Sequence, residues 1–336
     1  MPRRDAGFSI TEALIATVLS SAVIGSALHA FGEGMALADT SRVISETNQS
    51  LQAGMSLMVR DFIQTGQGIP TGGIPLPRGA GSTPVNRPGP VAMTFPTTWT
   101  NVPAISPGPS LGPAVLGIPT DLVTLLHADA TLPLNSRPLA ALAPNGASMT
   151  VDPATNIQGP NGLKEGDLIL FSNANGNALQ MITLTNGTQT VYFEVGDPLT
   201  LNQPAAAQGN LLSLQSSPGV FPPTTATRVV MISYYVDIVT EPALPRLVRQ
   251  VNAGPRLAVS LGVENLQYSY DLVDGTVNPT NVPEPPPGNS PNQIRKANLF
   301  MSARSLDLQP KTGQFFRNSM VTEVGLRSLS FVDRYR

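Results

Sequence analysis

From Ala13 to Gly32 the chain runs for 20 residues without a formal charge when His29 is neutral. As a helix, at about 1.5 Å per residue, this stretch spans roughly 30 Å, the thickness of a bilayer's hydrocarbon core. No proline occurs between Arg4 and Ile69. Nothing in that interval removes a helical N–H or clashes with the preceding turn, so one helix of about 50–56 residues is permitted. Gly66 and Gly68, with Pro70 after them, read as its stop. Such a chain has a first stretch suited to lipid and must build its core from the residues beyond it.

From Met35 to Phe62 the helix becomes mixed and periodic. Leu37, Ile44, Leu51 and Met58 recur every seven residues, and Met55 and Phe62 lie four beyond Leu51 and Met58. The spacing predicts an apolar stripe of Ile44, Leu51, Met55, Met58 and Phe62 packed on a C-terminal sheet. Asp39, Arg42, Glu46, Gln49, Gln52 and Arg60 occupy the other faces. A coiled coil is the alternative reading of the same heptads. Arg60 and Asp61 read as a solvated helix end.

Residues 66–120 hold 12 prolines and 10 glycines. They predict loops with short extended pieces, laid over a sheet, with Trp99 packed. From Asp121 onward strand signals recur: 121–127, 167–171, 178–184, 190–195, 228–239, 246–251, 262–270, 294–302 and 321–331. Turn sequences at Asn175-Gly176, Asn186-Gly187 and Asp274-Gly275 join successive runs as hairpins, which predicts an antiparallel sheet.

The chain has no cysteine, which excludes disulfides, thiolate metal sites and cysteine nucleophiles. With only two histidines, His29 and His127, a multi-histidine metal centre is close to excluded. Charged residues are 12% of the chain and the formal net charge is −2, so no basic field invites nucleic acid. One G-x-S-x-G string, Gly108–Gly112, lies among Pro107, Pro109 and Pro113. A nucleophile elbow needs a strand before the serine and a helix after it. Asp271 and Asp274 beside Gly275 read as a turn, lacking the bidentate glutamate of a calcium loop. Arg295, Arg304, Arg317, Arg327, Arg334 and Arg336 read as solvated strand edges. The expectation is therefore no enzyme, no cofactor and no metal.

Glu12 is the anomaly of the apolar block. A carboxylate in a membrane helix costs about 2.5–3.5 kcal/mol at the centre and less near an end, and such a group is usually paired. One reading pairs it with a free α-amine on Phe8 of a neighbouring subunit. The other has it favoured by the helix N-terminus. The order Arg3, Arg4, Gly7, Phe8, Glu12 and then the apolar run resembles the class III signal of type IV prepilins. The resemblance implies cleavage by prepilin peptidase between Gly7 and Phe8, N-methylation of Phe8, and subunit assembly through the helices with Glu12. The chain departs from major pilins in having no proline within the apolar run; Gly25, Gly32 and Gly34 are the weak points instead. A secretory signal, with a shorter apolar core and cleavage near Ala30, is the plain alternative. Residues 58–66 and, more loosely, 229–330 are similar to PilW-like minor pilins, whose helix ends in an Arg-Asp step.

The implied fold is α+β and type IV pilin-like: a leader over 1–7, a helix over 8–65 with 13–32 in the membrane, a loop region over 66–120 and a β-rich head over 121–336. The implied function is a minor type IV pilin that primes or assembles a pilus. The alternatives are a pseudopilin of a type II secretion system and a membrane-anchored adhesin or enzyme with a borrowed leader. Implied partners are other pilins, prepilin peptidase and a bacterial inner membrane. Arg3 and Arg4 place the leader in the cytoplasm and the head outside it.

Overall fold

A computed structural model describes residues 9–129, 131–132, 134, 141–152 and 154–329. One helix, α1, spans Ile10–Gln64, 55 residues. It passes through Gly25, Gly32 and Gly34 without a break. Thr65 caps its end, and Gly66 comes next at φ +84°, a backbone state open to glycine.

Ten strands build the two antiparallel sheets that pack on α1: β1 (Ile105–Ser106), β2 (Val123–Asp129), β3 (Leu168–Asn173), β4 (Gly176–Met181), β5 (Thr225–Asp237), β6 (Arg246–Val251), β7 (Arg256–Leu261), β8 (Val263–Leu272), β9 (Ile294–Leu308) and β10 (Phe315–Gly325). The first sheet has the order β4-β3-β5-β6-β7, with β2 and then β1 on the free edge of β5. The 13-residue β5 holds this sheet together. Its first half pairs with β3 and its second half with β6, while β2 runs along the opposite side. The second sheet is β8-β9-β10.

A single residue links the sheets. Gly262, at φ +72°, separates β7 from β8, so one extended stretch leaves the first sheet and enters the second. A Cβ there would lie 2.2 Å from the Arg304 carbonyl oxygen. Glycine is required by conformation and by close approach alike.

The helix packs where the sheets meet. Leu51, Met55, Met58 and Phe62 join Tyr234 of β5, Leu247 of β6, Tyr268 of β8 and Met301 of β9 in one core. The expected stripe needs correction at its start. Leu37 is exposed, Ile44 is half-buried and outside this core, and Val43 and Thr47 take the buried positions. A straight helix turns through 3.6 residues, so a strict seven-residue repeat drifts by about 20° each time. Steps of four and three, 43, 47, 51, 54, 58 and 62, track the true face.

The proline-rich stretch carries seven two-residue strands. It is not a layer apart from the head: Ile74, Leu76, Val85, Phe95 and Val102 are core partners of Leu168, Leu170 and Val229. Trp99 packs beside Phe95, with ring centroids 6.3 Å apart. The alternate residues Ile169 and Phe171 face a third core with Val191 and Phe193. Strand β3 is thus buried on both faces.

Other boundaries differ from the sequence reading. The turn before Gly176 comprises Ala174 and Asn175, and Gly176 already pairs with Asn173. The last strand runs Phe315–Gly325 rather than 321–331, because its partner β9 extends to Leu308 and the hairpin begins there. Strand β7 lies between two predicted runs and was not among them, although Leu257, Val259 and Leu261 alternate with Arg256, Ala258 and Ser260; Leu257 and Leu261 are exposed and Ser260 is the residue buried against α1.

Candidate functional site

The helix has two chemically different halves. Ser9 caps its start: its Oγ accepts the Glu12 N–H at 3.2 Å, and Glu12 Oε2 accepts the Ser9 N–H at 3.0 Å. This is a reciprocal capping box. It gives Glu12 a local partner, in keeping with the reading of an acid at a helix N-terminus. Glu12 Oε1 accepts nothing from the described residues. Gly7 and Phe8 lie outside the described residues.

From Ile10 to Met35 no residue is buried. Leu14, Ile15, Val18, Leu19, Val23 and Ile24 are each more than half exposed. An 18-residue window here has a mean hydropathy of 1.8, and the helix is long and apolar enough to cross a membrane. Three of the hydroxyls in this half are satisfied within it. Thr17, Ser21 and Ser26 donate to carbonyls of their own helix, at 3.0, 2.9 and 2.9 Å. Their polar atoms need no water.

The second half is seated in the head by polar as well as apolar contacts. Gly54 lets the helix approach β7; a Cβ there would meet Ser260 Cβ at 2.9 Å. Ser50 Oγ lies 3.0 Å from Ser260 Oγ and accepts the Leu261 N–H. Asn318 of β10 donates to Asn48 at 2.8 Å.

The last turn carries a buried charge. Asp61 has a side chain only 2% exposed. Its Oδ2 accepts from Arg249 Nε at 2.6 Å and from the Tyr234 hydroxyl at 2.7 Å. Arg60, 63% exposed, touches the other oxygen at 3.6 Å. The reading of a solvated helix end thus fails for Asp61 and describes Arg60. Burial works against the Arg249 charge, but Asp61 outweighs it and holds the guanidinium above its usual range. Burial raises the Tyr234 hydroxyl, and the adjacent carboxylate raises it further. His127 completes the cluster: its Nδ1 is buried without a partner, and burial lowers its pKa despite Asp61 and Asp129.

Sequence reasoning missed Arg249 and Tyr234. A signal was present: Leu247 and Arg249 share a parity on β6, so an arginine faces the same side as a core leucine. A cation there requires an anion from the packed helix.

The other motifs organise no chemistry. Ser110 sits in a loop, its N–H held by Asp121 Oδ1, with no helix behind it. Asp271 pairs with Lys296 at 3.0 Å and Asp274 with Arg295 at 3.1 Å. Arg304 and Arg317 both engage Glu264. Arg327 lies just past the last strand, and Arg334 and Arg336 lie outside the described residues. No group of three or more potential metal ligands occurs among the described residues.

These features define an α+β protein with one exposed apolar helix continuous with a helix buried in its head. Comparison with protein-family models, curated proteins and solved structures returned no match.

Proposed function

We propose that the chain is a minor type IV pilin, made as a prepilin and taking part in priming or assembly of a pilus. The observation that carries this is one unbroken helix with an unburied apolar first half and a second half locked into a β head. An ordinary membrane anchor needs no rigid coupling to its head. A subunit that moves from lipid into a bundle of like helices does, because extraction of the helix must carry the head with it. Glu12 contributes by its position: among the described residues nothing donates to Oε1, which leaves it for the amine of a neighbour's Phe8 while Oε2 stays on Ser9.

The test uses the full chain at native expression. Mass spectrometry of the mature protein is expected to begin at methylated Phe8; an N-terminus near Ala30 or an intact Met1 rejects the assignment. Glu12→Ala is expected to insert into membranes normally and to reduce pilus number, since insertion loses only a costly charge. Normal piliation by that variant rejects the pairing of Glu12 with the amine. A deletion that abolishes secretion and spares pili assigns the chain to a secretion pseudopilus instead.

A further inference from the structure

Strands β9 and β10 run along the helix toward its exposed half and back. An added Cβ at Gly54 would lie 3.4 Å from Met301 Cε, and twelve residues nearer the helix start Arg42 reaches Asp307 at 3.4 Å. Strand β9 therefore descends as the helix rises. Strand β10 ascends: Asn318 meets Asn48, and Leu329, just past the strand, lies beside Gly66. The turn between them, residues 309–314, is the part of this hairpin nearest the apolar half of α1.

Its height is set by elementary dimensions. Arg42 stands ten residues beyond Gly32, about 15 Å along the axis. The last strand pair, Leu308 with Phe315, lies near the level of Arg42. One further rung, Gln309 with Gln314, and the closed turn beyond it reach roughly 6 Å further down. The Lys311 backbone thus comes to about 9 Å above the level of Gly32, at the outer edge of the headgroup layer that extends some 5–8 Å beyond the hydrocarbon core, and its four-carbon stem is long enough to carry the ammonium into that layer.

The tip is built rather than slack. The Gln309 N–H donates to the Gln314 carbonyl at 2.9 Å, and the Gly313 N–H donates to the Gln309 carbonyl at 2.9 Å. Thr312 Oγ1 donates to Gln309 Oε1 at 3.0 Å. Lys311 is exposed and has no acidic partner among the described residues. The nearby acids Glu46 and Asp307 are both engaged by Arg42.

We propose that the β9–β10 hairpin is a second membrane contact, with the Lys311 ammonium donating to lipid phosphates. The contact sets the angle of the head on the bilayer. It rests on the reading of residues 13–32 as the membrane span.

The absence of cysteine makes the test direct, since one introduced thiol labels one position. Full-length Pro310→Cys, Val23→Cys and Gln67→Cys each carry an environment-sensitive fluorophore. Each is placed in vesicles of phosphatidylcholine and phosphatidylglycerol, with a nitroxide on either the headgroup or the acyl chain. The Pro310 label is expected to lose most of its fluorescence to headgroup nitroxide. The Val23 label should lose it to chain nitroxide. The Gln67 label, about 50 Å above Gly32, should keep it. Adding Lys311→Glu to Pro310→Cys should restore most of the emission. An unquenched Pro310 label beside a quenched Val23 label overturns the hairpin contact and leaves the span standing. An unquenched Val23 label overturns the span and the contact with it. Quenching at Pro310 that Lys311→Glu leaves unchanged also overturns the phosphate contact, because the tip would then merely lie close to the bilayer.

Discussion

Arg249 donates to Asp61 across 2.6 Å and joins strand β6 to the last turn of a helix 188 positions earlier in the chain. The Tyr234 hydroxyl completes the carboxylate's shell from the neighbouring strand. A buried ion pair of this kind adds little net stability over an apolar substitute, but removal of one partner leaves an uncompensated charge. Its structural consequence is register, since only one rotation and height of the helix brings Asp61 to Arg249.

Asp61→Ala is accordingly expected to lower stability by about 3–5 kcal/mol, the cost of stranding a buried cation. The double variant Asp61→Leu with Arg249→Met should recover most of that loss. Denaturant unfolding of the full chain in detergent, monitored by tryptophan fluorescence of Trp99, measures both. Equal destabilisation by the single and double variants would show that the charges do not act as a pair.

Leu51 is fully buried against the sheets, whereas Gln49 is exposed on the opposite face. Leu51→Ala should cost about 2–5 kcal/mol through lost burial and a residual cavity. Gln49→Ala should stay within about 0.5 kcal/mol. Equal and small effects in the same assay would instead make the stripe a self-association seam.

His127 makes the head sensitive to mild acid. Its pKa is lowered in the folded state by burial, with Arg249 adding to the effect and Asp61 and Asp129 opposing it. The unfolded chain therefore binds the proton more readily. Stability is intact above the unfolded value near pH 6.5 and falls as the pH drops toward the folded value, by at most about 1.4 kcal/mol per pH unit. Urea midpoints between pH 7.5 and 5.5 should decline for the parent chain. His127→Gln should flatten the profile in that window, and a parallel decline would assign the effect elsewhere.

Gly262→Ala tests the point where the chain changes sheets. A left-handed backbone alone costs an L-residue about 1–2 kcal/mol. Contact with the Arg304 carbonyl at 2.2 Å adds to it, and the neighbour is backbone that cannot turn away. The melting temperature should drop clearly below that of Gly159→Ala, a glycine at φ +100° with open space around it. Equal losses at the two positions would show that conformation alone matters at Gly262.

The features legible in the amino-acid order are local and periodic. A charge-free run without proline can only be a long helix, and Gly66 with Pro70 must end it. Alternating runs such as 262–270, with Leu266, Tyr268 and Tyr270 on one face, read as strands, because both signals depend on neighbours within a few residues. The apolar face was legible from Leu51 to Phe62, where tertiary packing and helical period agree. It was misplaced at Ile44, where a seven-residue count runs ahead of a 3.6-residue turn. The remainder was settled by long-range packing. Asp61 and Arg60 are adjacent and equally polar, yet one is buried on Arg249 and the other faces water; only the opposing strand distinguishes them. The passage of the chain from the first sheet to the second depends on the close approach of Gly262 to Arg304, two residues 42 positions apart. The proline-rich stretch was legible as short extended pieces but not as core, because its side chains gain their burial from Leu168, Leu170 and Val229, contacts that no local pattern encodes.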